Sequence, residues 1–229
     1  MKKRDFFSAK RLTGMAVLLA LVVVLQSVGG SIAIGVVQLN FTLIPIVLGA
    51  IMYGALVGGF LGLACGIVVL IQVIMGLAPF YTVIWTNTPV IAALTCVVKT
   101  TVAGLISGWL FGLIKKKNKH VAVFVASGAV PVINTGLFII GCLFMNKSIT
   151  AFQQSIGDTS ANILVFILVG LVTFNFFIEF AINLLLSPAL YRAINVIEGK
   201  YTFGKYADEE EEIEGDTEGV NATSEERDI

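Results

Sequence analysis

PVIAALTCVVKTTVAGLISGWLFGLIKKK, residues 89–117, is an apolar run closed by three lysines. One charge interrupts it, Lys99. About 20 mostly apolar residues cross a bilayer as an α-helix, because within hydrocarbon every backbone polar group needs an internal partner. The stretch from Pro89 to Ile114 is long enough, and the lysines after it belong in water. A charge inside such a span costs at least about 2.5–3.5 kcal/mol, which makes Lys99 a functional-site hypothesis.

The rest of the chain repeats the pattern. Of its 229 residues 57% are hydrophobic and 13% charged, against roughly 25% charged in a soluble domain. Lys99 is the one charge between Arg11 and Lys115; between His120 and Arg192 there are Lys147, Asp158 and Glu179. Glu179, like Lys99, falls within an apolar segment. These segments lie near 11–28, 40–56, 58–76, 89–114, 121–146 and 161–194. They predict an all-α polytopic membrane protein, a six-helix transmembrane bundle. The second and third are separated only by Tyr53-Gly54 and Gly58-Gly59, and also read as one long helix plus a re-entrant piece. The first, Leu12 to Leu25 behind a basic start, has the form of a signal peptide. The multispanning chain that follows favours a retained helix.

Lys and Arg in short loops set orientation. Lys2, Lys3, Arg4, Lys10 and Arg11 precede the first segment, and Lys115, Lys116, Lys117 and Lys119 separate the fourth from the fifth. Loops 29–39 and 77–88 have none, and 147–160 has Lys147 alone. Both termini are therefore expected in the cytoplasm. The organisation expected is a basic cytoplasmic N-terminus (1–10), a six-helix domain (11–196) and an acidic tail (206–229). Asp208, Glu209, Glu210, Glu211 and Glu212 repel one another, and so few apolar residues follow that the tail is expected to be disordered. Asn221-Ala222-Thr223 matches a glycosylation sequon that the cytoplasmic side makes irrelevant.

Small residues let membrane helices approach closely. Gly58, Gly62 and Gly66 recur every four residues, as do Gly104, Gly108 and Gly112, and both series read as packing within the chain. Ala16 and Ala20 form a small-xxx-small pair on the first helix.

Polar residues form stripes. Asn175, Glu179 and Asn183 share one helix face, as do Thr95, Lys99 and Ala103, with Ser107 a turn beyond. Ser127, Pro131 and Asn134 align similarly. At 1.5 Å per residue Lys99 lies roughly 15 Å from the outer end of its helix. Asn134 and Asn175 reach a similar level, and Glu179 lies one turn deeper. Two readings stand. Lys99 and Glu179 form a structural ion pair, or Lys99 and the asparagines floor a ligand site open to the outside. The loop from Gly76 to Pro89 offers Phe80, Tyr81 and Trp85 beside Asn87. That mix suits a small organic ligand, and equally an interfacial aromatic belt. A cationic floor favours an anionic ligand.

Nothing in the sequence suggests an enzyme: there is no P-loop, nucleophile with a base, or paired carboxylate. Cys65, Cys96 and Cys142 lie in apolar runs without metal-ligand spacing, and His120 stands at a helix end, so neither metal nor cofactor is expected in this chain.

In this setting Leu43-Ile44-Pro45-Ile46-Val47-Leu48-Gly49-Ala50-Ile51-Met52-Tyr53-Gly54, followed by Gly58-Gly59-Phe60-Leu61-Gly62, resembles the substrate-binding S components of energy-coupling factor (ECF) transporters. So does the basic start leading into Ala16-Val17-Leu18-Leu19-Ala20. The resemblance covers about residues 10–196. It implies a subunit that binds a vitamin in its outer half and docks through Ala16 and Ala20 on a transmembrane coupling component. Two cytoplasmic ATPases would hydrolyse the ATP, and the loop 28–38 would gate the site. Multi-pass placement in a bacterial cell membrane follows. The run from Gly76 through Asn87-Thr88-Pro89 to Lys99, with Pro131-Val132-Ile133-Asn134-Thr135-Gly136, looks most like the pantothenate-type branch; riboflavin, folate or another vitamin stays open.

The candidate ligand residues are thus Lys99, Asn134, Asn175, Asn87, Trp85, Tyr81 and Glu179. Two other classes compete: a stand-alone secondary transporter using Lys99 and Glu179 as an ion or proton relay, and a membrane scaffold. Autonomous transporters commonly carry internal repeats, and none is evident between 11–76 and 89–194.

Overall fold

The computed structural model describes residues 9–29, 33–34, 37–38, 40–158, 162–192 and 195–196. The basic residues before position 9 and the acidic tail lie outside them, as do the side chains of the expected gate (28–38) from residue 29 onward. The chain divides into two compact units, Met1–Pro188 and Ala189–Ile229. The described residues of the second have helical backbone at 189–192 and 195–196. The first carries the bundle.

Its elements are α1 (Ala9–Gly29), a minute antiparallel hairpin of β1 (Ala33–Ile34) and β2 (Val37–Gln38), α2 (Leu43–Tyr53), α3 (Ala55–Ile74), α4 (Pro79–Asn87), α5 (Pro89–Ile114), α6 (Lys119–Phe144), α7 (Asn146–Ser155) and α8 (Ile163–Arg192). Four of these, α3, α5, α6 and α8, are long and apolar enough to cross a membrane. Leu12–Val28 and Leu43–Tyr53 are shorter apolar helices.

The second expected segment is the one that changes most. Read as 40–56, it is an 11-residue helix, about 16 Å at 1.5 Å per residue. That is half the roughly 30 Å of hydrocarbon. Gly54 ends it: its φ of 102° lies where side chains with a Cβ are strained. The expected loops are also more ordered than their composition suggests. Pro79 occupies the first turn of α4, where a missing N–H is harmless. The segment expected from 147 to 160 is largely the short helix α7.

The α3–α5 seam forms the centre. A Cβ at Gly58 would stand 2.6 Å from the Gly104 carbonyl oxygen, and one at Gly66 2.7 Å from that of Cys96. Gly62 faces the Thr100 carbonyl and Gly108 faces Ala55. Gly112 has nothing near it, so the second glycine series ends one member early. Next, α6 is held to α5 by Ser107 Oγ, which donates to the Ala126 carbonyl at 3.1 Å. In α1, Leu18, Val22 and Gln26 are buried at four-residue spacing, whereas Ala16, Val17, Ala20, Leu21 and Val24 are exposed.

Within α8 the segment Phe166–Val172 is a π-helix. Its buried pairs, Phe166 with Ile167 and Leu171 with Val172, step by five residues, the interval of the i→i+5 bond. Normal α spacing resumes at Asn175 and Glu179, both buried. The wide turn thus keeps one face of α8 inward past a stretch whose residues are nearly all apolar.

Candidate functional site

One cavity lies in the half of the bundle that carries α4 and α7. Its wall takes residues from the C-terminal ends of α1, α3 and α6 and the N-terminal ends of α5 and α8, which alternate in direction. Lys99, Asn134, Asn175, Tyr81 and Glu179 all line it. The polar stripes inferred from helical spacing therefore converge.

The two charges do not answer each other. Lys99 Nζ stands over the Phe138 ring, 5.1 Å from its centroid, a cation–π contact. The described residues give that ammonium no hydrogen-bonding partner. Glu179 is 8% exposed, and its Oε1 accepts from the backbone N–H of Asn40 at 2.8 Å. A direct Lys99–Glu179 ion pair is absent among the described residues. Asn183, one turn further along α8, is buried outside this wall, and its Nδ2 donates to the Glu179 carbonyl at 2.8 Å.

Asn134 Oδ1 is buried without a hydrogen-bonding partner. A buried polar atom left so costs roughly 1–3 kcal/mol, and native proteins rarely keep one without a reason. It sits on the same wall as the Lys99 ammonium.

The aromatic segment splits. In α4, Phe80, Tyr81 and Ile84 are buried and face the cavity. Phe80 packs edge-on to Phe152 at 5.2 Å and to Phe138 at 6.3 Å, which fixes the ring beneath Lys99. Burial pushes the Tyr81 phenol up, so it stays protonated and able to donate. Trp85 and Asn87 are not among the wall residues. Asn87 is exposed, and its Nδ2 donates to the Val83 carbonyl at 2.9 Å. Position along the helix marks the division: the wall takes its α4 residues from positions 80–84, and Trp85 and Asn87 follow toward the C-terminal end of the helix.

Three wall-side polar residues escaped the sequence reading. Gln26 and Asn40 line the cavity, and Gln72 stands behind Gln26. Gln26 Nε2 donates to Gln72 Oε1 at 2.9 Å, and Gln72 Nε2 donates to the Gln26 carbonyl at 3.0 Å. The signal was present. Gln26 ends one apolar run and Gln72 interrupts another, as Lys99 does.

The groups gathered on this wall suit binding chemistry. They are a cation, amides and aromatic rings, fixed by neighbours, with no nucleophile–base pair among them. Among the described residues no group of His, Cys, Asp and Glu is placed to hold a metal. A search of curated proteins gives no match. The family model for the ECF transporter, substrate-specific component, matches residues 10–191. With nearly all of the helical bundle inside that match, the chain belongs to the family of ECF transporter substrate-specific components, multi-pass membrane subunits of transporters.

Proposed function

We propose that the chain captures a small carboxylate-bearing vitamin, pantothenate before riboflavin or folate, for import by an ATP-driven ECF complex. The observation that carries the reading is the pairing, on one cavity wall, of the Lys99 ammonium with the unpartnered Asn134 Oδ1. An ammonium in a largely apolar cavity is expensive unless an anion meets it. Asn134 and Asn175 then supply amides to the polar remainder, and Tyr81 a phenol. Trp85 and Asn87 belong, in this reading, to the rim of the entrance.

The lysine-rich loop and N-terminus put both chain ends in the cytoplasm, with six helices if α1 and α2 are counted as spans. The cavity then lies in the outer half. Residues 11–196 act as the binding domain, and 1–10 and 206–229 stay in the cytoplasm. The exposed Ala16 and Ala20 give α1 a shallow face for close helix contact, against which a transmembrane coupling component docks. Two partner ATPases hydrolyse the ATP, so this chain needs no cofactor. The setting is a bacterial cell membrane.

The decisive experiment is a thermal-shift screen of the purified chain, without ATPases, across water-soluble vitamins. At a hundredfold excess over Kd the expected shift is roughly 5–10 °C for one carboxylate-bearing compound. No stabilisation by any vitamin overturns the reading. Uptake by the chain alone in proteoliposomes would favour an autonomous relay through Lys99 and Glu179.

Docking has its own test. Ala16→Trp or Ala20→Trp should leave ligand affinity within about twofold, since exposed substitutions usually change little, while uptake by the assembled complex is lost. Normal uptake in both variants removes the docking assignment.

A further inference from the structure

Opposite in character to Lys99, the same cavity has a second polar end. Thr42 is its hub. Its hydroxyl reaches Asn40 Oδ1, lies 3.5 Å from Gln26 Oε1 and 3.0 Å from Cys65 Sγ. Asn40 in turn holds Glu179 through its backbone N–H. Gln26 and Glu179, from helices at opposite ends of the sequence, are thereby tied to one short segment, and both are wall residues.

These bonds leave two groups over. Gln26 Nε2 carries two protons, and Gln72 takes one. Among the described residues the one donor to the Glu179 carboxylate is the Asn40 N–H, at Oε1, which leaves Oε2. A spare N–H together with a spare carboxylate oxygen offers one donor and one acceptor. A hydroxyl answers both in the smallest space, since it accepts and donates through one oxygen, whereas an amide needs two separate atoms. A second carboxylate would be repelled by Glu179. An ammonium would meet Lys99, which lies within electrostatic reach of Glu179.

We propose that Gln26 and Glu179 form a second pole of the ligand site that reads an aliphatic hydroxyl, so the site selects hydroxy-carboxylates rather than carboxylates in general. The inference rests on the ligand-site reading above and adds a specificity rule to it. Gln72, Thr42 and Asn40 act as positioning residues, because they fix the two readers before the ligand arrives.

Isothermal titration of the full chain with three probes tests this. The probes are pantothenate, panthenol, which lacks the carboxylate, and N-(3,3-dimethylbutanoyl)-β-alanine, which keeps the carboxylate and lacks both hydroxyls. The wild type is expected to prefer pantothenate over the deoxy compound by about tenfold to a hundredfold. Glu179→Gln and Gln26→Leu are expected to reduce that ratio below about threefold. The pantothenate-to-panthenol ratio should persist in both, which doubles as evidence that the variants are folded. Lys99→Met should do the reverse. Equal wild-type affinity for pantothenate and the deoxy compound overturns the inference without any variant. So does a hydroxyl preference that survives in both pole variants. No wild-type binding of pantothenate overturns the ligand reading itself, and the second pole with it.

Discussion

Lys99→Met should weaken a carboxylate ligand by about 2–4 kcal/mol, roughly thirty- to a thousandfold, as measured by titration calorimetry on the purified chain. The size follows from the setting. The apolar part of the cavity wall around the ammonium includes Val69, Val73, Phe80, Ile84 and Phe138, where a charge pair is screened far less than in water. Methionine is unbranched, one atom shorter than lysine, and makes favourable contacts with an aromatic ring, so a contact with Phe138 survives in kind. Removing a charge from a span also relieves the apolar helix of an expense. The ligand-free variant should therefore melt at or slightly above the wild-type temperature. Weaker binding with undiminished stability is the signature of recognition. Unchanged affinity would make Lys99 a support for the bundle.

The same residue shows how the site was legible. A charge or amide in a run of Val, Leu and Ile stands out because hydrocarbon gives it nothing to bond with. Lys99, Asn134, Asn175 and Glu179 were found on that ground alone, and helical spacing put them on inward faces. What spacing does not give is partners. The ion pair that the sequence allowed needs both charges at one level and pointed at each other. Glu179 instead turns to the backbone of Asn40, which belongs to a connection without periodicity. Gln26 and Gln72 satisfy each other across α1 and α3, a pairing between separate runs. Each gave the same weak signal as Lys99 but without a charge to mark it.

The fold divides along similar lines. Pro89–Ile114 falls where the sequence placed it, because a long apolar run bounded by a proline and lysines has little freedom. Its neighbour at 40–56 was overextended, since nothing in Tyr53-Gly54 states that Gly54 takes a positive φ and stops α2. The π segment of α8 was invisible for a different reason. Phe166–Val172 is apolar throughout except for Gly170, so its buried face leaves no pattern by which a five-residue step differs from a four-residue one. In α4 the aromatic residues expected to act together are divided, with Phe80 and Tyr81 in the cavity wall and Trp85 outside it. Tyr81 and Trp85 share a face at i, i+4, and what divides them is depth along α4, with Tyr81 in the cavity wall and Trp85 nearer the end of the helix.

Gly62→Leu is expected to be the most damaging single substitution in the bundle, lowering stability by more than about 3 kcal/mol, the upper end for ordinary overpacking. A Cβ there meets the Thr100 carbonyl, with the Thr101 Cα at 3.0 Å. These are backbone atoms, which do not rotate aside as a side chain would, so α3 and α5 must separate. Gly58 and Gly66 sit one turn away on either side against Gly104 and Cys96, and a wedge at Gly62 loosens both contacts. Because Thr100 follows Lys99, the displacement also shifts the cation relative to the rest of the cavity wall. Gly62→Ala, whose Cβ meets the same carbonyl without the further bulk of leucine, should lower the melting temperature less and still weaken ligand. Gly112→Leu is the matched control, with open space where its side chain would go. It should change stability by no more than about 0.5 kcal/mol. Melting curves and the monodisperse fraction in detergent read out all three. A Gly62→Leu protein that melts and binds like wild type would mean that α3 and α5 do not meet backbone to backbone, and that Lys99 owes its position to something other than this seam.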